Sequence, residues 1–336
     1  MCVLCQRDAM KAIEFHEFGA LADVLQLVEQ PTPTAGAGEV LVRLTARSIN
    51  PSDVYTIQGT YGVRPSLPSV PGNEAAGVIA ALGEGVTGWD VGDRVILMLG
   101  AVGTAGTWRE YAVVKPQFLV PTPAALTDAQ AACTWVNYLT AWIMSDELQL
   151  QPDEPVLVTA GASHLGRAML QLSAVRGFKV VATVRKPEQA QALLDAGALG
   201  VITLPGDDLA KRWKEITGQK GIGKAIDAVA GETGTAVVNA LAAYGQLIIY
   251  GLLSGEPIQV DGRIVFSEAT IRGFWLGRWL NRQTPQAIGK LIAEVSAMFA
   301  DGRLAPHVDT TVALDDLAGI VRVATEGGAG KVVITG

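Results

Sequence analysis

Over residues 10–123 apolar and polar positions alternate in short runs, the period of half-buried β-strands. Residues 39–49, EVLVRLTARSI, form the longest such run; residues 74–82, 93–99 and 110–115 are shorter β-rich stretches. Gly, Pro and Asn punctuate them at close intervals and no helical period dominates, so this part is expected to be mainly β. The organised pattern opens at Met10-Lys-Ala-Ile-Glu-Phe15, which leaves residues 1–9 as a frayed extension.

Near Thr127 the pattern changes. Thr127 and Gln130 stand three apart ahead of an apolar run, the spacing of a capping box, and predict a helix start. Strands and helices then alternate. Strands are expected at 155–159, 179–183, 201–203, 224–229, 246–250 and 270–274, with helices after Gly166, closing at Gly177, and from Pro187, closing at Gly197. Repeated strand–helix–strand units at this spacing build a parallel, doubly wound sheet. Thr284-Pro285 opens a further helix with Ile288, Leu291, Ile292, Val295 and Phe299 on one face, and residues 331–335 form a last strand that returns to the β-rich part. The expected organisation is an extension at 1–9, a β-rich domain of 10–126 with 285–336, and a doubly wound domain of 127–284.

Composition narrows the class. Hydrophobic residues are 49% and charged residues 18%, which excludes a disordered chain and allows a large core. With 26 Lys and Arg against 33 Asp and Glu, the net charge of −7 argues against a nucleic-acid partner. The longest apolar stretch, 237–253, is broken by Asn239, Gly245 and Gln246, so no membrane span is expected. The three cysteines cannot form a disulfide framework, and together with the absence of a signal-peptide pattern this points to a reducing, cytoplasmic setting. Cys2 and Cys5 make a CxxC with no second pair, and no metal role is assigned to it.

The first strand of the doubly wound part runs into Thr159-Ala-Gly-Ala-Ser-His-Leu-Gly166 and a helix, the place where a dinucleotide pyrophosphate meets free backbone N–H groups. Gly161 and Gly166 fit the fingerprint; His164 stands where a glycine is expected. The second strand ends in Thr183-Val-Arg-Lys186, without the acid that would bind a ribose 2′-hydroxyl. Arg185 and Lys186 instead suit a 2′-phosphate, favouring NADP(H) over NAD(H); the alternative is a pair of solvated loop charges.

Gly72-Asn-Glu-Ala-Ala-Gly77-Val, Val91-Gly-Asp-Arg-Val95, the glycine turn and Gly330-Lys-Val-Val333 resemble the medium-chain dehydrogenase/reductase superfamily, over essentially all of residues 10–336. The resemblance implies a Rossmann domain beside a mainly β, GroES-like catalytic domain, and commonly a homodimer joined at the Rossmann sheet edge, for which residues 246–250 are apolar enough. Asn50 and Asn73 occupy the positions of the catalytic Cys and His of the zinc-dependent members, and the four-Cys lobe is missing, so no metal is expected. Cys133, alone in an apolar context, reads as core.

Within the zinc-free branch, Ile49-Asn-Pro-Ser-Asp53, Ile57-Gln-Gly-Thr-Tyr61-Gly and Arg272-Gly-Phe-Trp-Leu276 with Trp279 are similar to the mitochondrial-type 2-enoyl thioester reductases. The resemblance implies that Tyr61 is the proton donor; otherwise it is a turn aromatic between Gly59 and Gly62. It also implies cofactor contacts at Asn137, Ser163, His164, Leu165, Gly166, Arg185, Lys186, Tyr250, Gly251, Leu252, Leu253, Phe274, Trp275, Leu276 and Lys331. Trp275 and Tyr250 serve equally as core aromatics, and Lys331 as a surface lysine. Arg278 and Arg282, four apart, share a face if helical; that face either meets the phosphates of a CoA or phosphopantetheine arm or is a solvated basic face. NADPH-dependent reduction of an enoyl thioester is thus expected, with NADPH:quinone reduction and a non-catalytic dinucleotide-binding role, suggested by His164, as alternatives.

Overall fold

The computed structural model describes residues 9–98, 106–326 and 330–336. The expected extension lies outside the described residues apart from Ala9, as do Cys2, Cys5 and the end of the 93–99 run at Leu99. The chain divides into two compact units, Met1–Val136 with Leu280–Gly336, and Asn137–Trp279.

The first unit opens with β1 (Ala9–Phe15), α1 (Leu21–Val24), β2 (Leu25–Pro31), β3 (Val40–Ser48) and α2 (Pro51–Ile57). It continues through β4 (Glu74–Leu82), β5 (Arg94–Met98), β6 (Tyr111–Val114), β7 (Leu119–Pro121) and α3 (Asp128–Ala131). Then come α4 (Trp135–Glu147), β8 (Pro155–Val158), α5 (His164–Arg176), β9 (Lys179–Val184), α6 (Ala190–Asp195), β10 (Gly200–Thr203), α7 (Leu209–Thr217) and β11 (Ile222–Asp227). α8 (Gly231–Asn239), β12 (Leu241–Ile249), β13 (Thr270–Gly273) and α9 (Leu276–Leu280) follow, and the chain ends with α10 (Pro285–Ala300), β14 (Thr310–Ala313), α11 (Leu317–Glu326) and β15 (Val332–Thr335).

In the first unit β1 and β2 pair as an antiparallel hairpin, and the larger sheet runs β14-β15-β3-β4-β5-β7 with β6 also on β3. The last strand returns as expected, Val333 opposite Ser48 on β3. Inward side chains of β3, β4 and β5 (Val42, Leu44, Ile79, Val95, Leu97) close one core; Phe15, Ile57, Trp108, Ile320 and Ile334 anchor another.

The second unit is a six-stranded parallel sheet in the order β10-β9-β8-β11-β12-β13. This is the doubly wound α/β fold expected from the strand–helix alternation, with its reversal of strand order between β8 and β11, where ligands bind at the carboxyl ends. Its strands are short and apolar because helices cover both faces; Leu157, Val181, Ile202, Ala225 and Leu247 are buried together with Trp213.

Three expectations change. The helix starting at Thr127 is two pieces. The capping box forms, with Gln130 N–H donating to Thr127 Oγ1 at 3.3 Å and Thr127 N–H to Gln130 Oε1 at 3.0 Å, but α3 then stops. A new helix, α4, begins where the buried Glu74 carboxylate takes the N–H groups of Trp135 (3.1 Å) and Val136 (2.9 Å), an acid on a helix N-terminus. The helix after the glycine turn starts at His164, before Gly166, because Ser163 is its N-cap. Residues 246–249 are not a sheet edge: they pair with β11 on one side and β13 on the other, and the edges are β10 and β13.

Candidate active site

In the second unit the end of β8 is tied to the end of β11 by one hydroxyl. Thr159 Oγ1 donates to Asp227 Oδ1 at 2.6 Å and accepts the Ala228 N–H at 2.9 Å, while Asp227 also accepts from the Val229 and Ala230 N–H groups. All three residues Thr159, Asp227 and Ala228 are buried, which fixes the strand ends where the sheet order reverses. Sequence reading passed over this pair; its signal was a Thr and an Asp at the ends of two parallel strands.

The turn that follows is shaped by contacts that leave no room for side chains. A Cβ on Gly161 would stand 2.5 Å from the Ala182 Cβ, and one on Gly166 would stand 2.3 Å from the Gly161 carbonyl oxygen. Ser163 Oγ accepts the Gly166 N–H at 3.1 Å and starts α5. His164 causes no conflict. Positive φ in this turn falls on Ala160 (50°), and the His164 ring is buried edge-on against Tyr138, centroids 5.6 Å apart. Leu165 is buried behind it. The turn and the N-terminus of α5 therefore form with a histidine in the glycine position.

Arg185 and Lys186 follow directly on β9 and are both exposed; no hydrogen bond or ion pair engages either side chain among the described residues. Tyr250 lies just past β12, its N–H bonded to the Asp227 carbonyl at 2.9 Å. Burial and then the neighbouring Asp227 charge push its phenol pKa well up, against a hydrogen bond with Ser163, so it stays a neutral hydroxyl. Gly251 is pressed to the Ala228 carbonyl, 2.6 Å from where a Cβ would be, and Leu252 and Leu253 are exposed. The Phe274 N–H continues the β12–β13 ladder to the Ile249 carbonyl (2.8 Å); Trp275 and Leu276 are half-buried, and Asn137 is a half-buried residue in the first turn of α4. Arg278 stands over the Trp275 ring at 5.9 Å. The shared helical face expected for Arg278 and Arg282 does not exist, because α9 ends at Leu280.

In the first unit Tyr61 follows α2 in a turn where the Thr60 and Tyr61 N–H groups both donate to the Tyr55 carbonyl, at 2.9 and 3.1 Å; its side chain is half-buried. The start of α2 is held by a buried polar cluster. Asn50 N–H donates to Asp53 Oδ2 at 2.8 Å; Asn50 Nδ2 donates to Ser48 Oγ (2.9 Å) and Glu74 Oε1 (3.2 Å). Lys331 Nζ donates to Asn50 Oδ1 at 2.6 Å and to the Ile49 carbonyl at 3.2 Å, 3.7 Å from Glu74 Oε1. Lys331 is only 4% exposed, so it is not the surface lysine of the alternative reading. Asn73 Nδ2 donates to Ser52 Oγ at 3.1 Å and to Asp53 Oδ1. The two asparagines at the zinc-ligand positions are thus engaged as amides. Burial pushes the Asp53 carboxyl up to about 7, opposed by the Asn50 N–H, Lys331 and Asn73. Cys133 is buried, and burial pushes its thiol up to about 12, which keeps it inert.

The comparisons with known proteins agree with this geometry. Residues 36–124 match the alcohol dehydrogenase GroES-like domain and residues 165–294 the zinc-binding dehydrogenase domain. The chain is 30% identical over 326 residues to a mitochondrial enoyl-[acyl-carrier-protein] reductase of Bos taurus, covering 94% of this chain and 86% of the relative. The chain belongs to the medium-chain dehydrogenase/reductase family. A second member, a quinone oxidoreductase-like protein 2 homolog of Nematostella vectensis, is 31% identical over 98% of this chain and 89% of its own. A solved Bacillus thuringiensis structure, described as a candidate NADPH:quinone reductase, superposes with a TM-score of 0.89 at 32% identity, covering 98% and 99% of the two chains. The resemblance drawn from the Gly72–Gly77 and glycine-turn motifs therefore holds, and with it an oxidoreductase of the medium-chain type. Asn50 and Asn73 lie in the GroES-like match, outside the zinc-binding dehydrogenase match, and among the described residues no group of three or more His, Cys, Asp or Glu side chains is disposed around a common point. No helix of the described residues is long and apolar enough to cross a membrane.

Proposed function

We propose that this protein is an NADPH-dependent reductase of activated carbon–carbon double bonds, acting on a 2-enoyl thioester. The observation that carries the reading is Tyr61 in its turn after α2, in a chain 30% identical over 94% of its length to an enoyl-[acyl-carrier-protein] reductase.

The residues fit the cofactor. The glycine cradle at Gly161 and Gly166 and the first turn of α5, with Ser163, His164 and Leu165, would hold a pyrophosphate. Arg185 and Lys186, exposed and with no acid beside them at the strand end, would hold a 2′-phosphate. Asn137, the loop of Tyr250, Gly251, Leu252 and Leu253, and that of Phe274, Trp275 and Leu276 are assigned to the nicotinamide end. Lys331, bonded to Asn50 and beside Glu74, is kept as a late phosphate or ribose contact. Bound NADPH supplies a hydride equivalent to Cβ of the enoyl group. As negative charge builds on the thioester oxygen, the Tyr61 phenol either donates a hydrogen bond to it while solvent protonates Cα, or gives its own proton to Cα and is reprotonated by solvent.

The second reading, NADPH:quinone reduction, is favoured by the TM-score of 0.89 to the Bacillus thuringiensis structure. A non-catalytic role loses its one support, since His164 leaves the turn intact. A reducing, cytoplasmic compartment and a homodimer complete the proposal. NADPH oxidation followed with crotonyl-CoA, with a quinone and with no acceptor tests it. Turnover with crotonyl-CoA well above quinone is expected; quinone turnover alone would overturn the thioester reading.

A further inference from the structure

Tyr61 sits between two glycines, Gly59 and Gly62, the residues with the largest backbone freedom to lose. The Thr60 and Tyr61 N–H groups both donate to the Tyr55 carbonyl and shape the start of the turn. A proton donor in such a segment is useful only if the segment is held in place, because proton transfer needs the donor within hydrogen-bond reach in a fixed orientation.

The structure closes this segment three residues further on. Arg64 folds back so that its Nε–H donates to the Gly59 carbonyl at 2.7 Å, closing a loop around Tyr61 with a side chain. The same guanidinium lies over the Phe18 ring, 5.3 Å from its centroid. Phe18 in turn packs on Gly59: a Cβ there would fall 2.8 Å from the ring, and Gly59 has φ +73°, so only glycine lets the ring close on the turn. The platform beneath is rigid. Phe18 contacts Phe15 (centroids 6.0 Å apart), Gly19 N–H bonds the Ile57 carbonyl at 3.1 Å, and Phe15 exchanges two backbone bonds with Ser69 at the far end of the loop.

We infer that Phe18, Gly59 and Arg64 form a clasp that positions the Tyr61 phenol for proton delivery, with Arg64 as the positioning residue. The inference rests on the reading of Tyr61 as the donor. A planar guanidinium suits this task better than an ammonium, since it donates in a fixed direction while stacking on a ring face.

The test combines amide exchange with a double-mutant cycle. In the full-length protein, Arg64→Ala should speed exchange over residues 58–66 and leave β3 and β4 unchanged, with Arg64→Lys in between. With NADPH and crotonyl-CoA, Arg64→Ala should lower kcat about tenfold, within the range a misplaced reacting group costs, and leave the NADPH KM alone. In the Tyr61→Phe background the same change should lower kcat little further, since no hydroxyl is left to place. If Arg64→Ala does not fold, Phe18→Leu removes the ring face under the guanidinium and takes its place in the cycle. Unchanged exchange, an equal kcat loss in both backgrounds, or a change confined to the thioester KM overturns the clasp. A Tyr61→Phe protein with full turnover shows in its own arm that the donor reading has failed, and the clasp falls with it; loss in that arm with no effect of Arg64 overturns the clasp alone.

Discussion

At the scale of single residues, the hydroxyl of Tyr61 separates the two readings of the acceptor. Tyr61→Phe keeps the ring and removes only the donor, so folding and NADPH binding should hold while kcat for an enoyl thioester falls about 10²-fold. Quinone reduction needs no proton at carbon and should lose much less; comparing the two acceptors in one preparation gives the result. Asp53 offers a second test, of the cluster at the start of α2. Its carboxyl is raised from 3.8 to about 7, chiefly by burial, against Asn50, Lys331 and Asn73. Between those values the unfolded chain has released the proton while the folded protein still holds it. Stability should therefore fall as pH rises through that window, and level off above it. Asp53→Asn has no such proton, so the stability of the wild type relative to the variant, measured by urea unfolding at several pH values, should decline from pH about 4 to about 7 and then stay flat. A constant difference across the window would show that the buried carboxyl titrates as an ordinary one.

At the scale of elements, the turns were more legible than the lengths. Residues 74–82 read as a strand and β4 has those bounds, because alternation and flanking glycine and proline mark both ends. Thr284-Pro285 announced α10 for the same kind of reason: the Thr284 hydroxyl caps Ala287 N–H at 3.2 Å. The break between α3 and α4 was invisible, since its cause, Glu74, is sixty-one residues from Trp135 in sequence. Local propensity cannot see a carboxylate delivered by another strand. The end of β9 carries its own prediction. Arg185 and Lys186 are exposed there, and each charge-assisted contact with a 2′-phosphate would be worth about 1.5 kcal/mol, or roughly tenfold in affinity. Replacing both with neutral residues should raise the NADPH KM by tenfold or more and leave that for NADH little changed. Equal use of the two cofactors by the unaltered protein would contradict the assignment.

At the scale of the whole molecule, fold class and family were readable because several distant motifs agreed, from Gly72 to Lys331. Strand order was not readable. The family resemblance placed a sheet edge at the apolar residues 246–250, yet chain order does not reveal neighbours, and β12 turns out to be flanked on both sides. The edges are β10 and β13; among the described residues β13 pairs with β12 alone and presents an unpaired side. Ahead of it the chain leaves Val260, Val265 and Phe266 exposed, the last at 86%. An unprotected edge beside exposed apolar side chains is a surface that a second copy can cover, β13 against β13 across a two-fold axis. The proposed homodimer should therefore depend on this segment rather than on residues 246–250. Sedimentation at micromolar concentration should show a dimer for the wild type, and V265K with F266D should shift it to monomer with helix and strand content unchanged. A wild-type protein that sediments as a monomer throughout that range removes the homodimer from the proposal, and a double variant that stays dimeric moves the interface off the β13 edge.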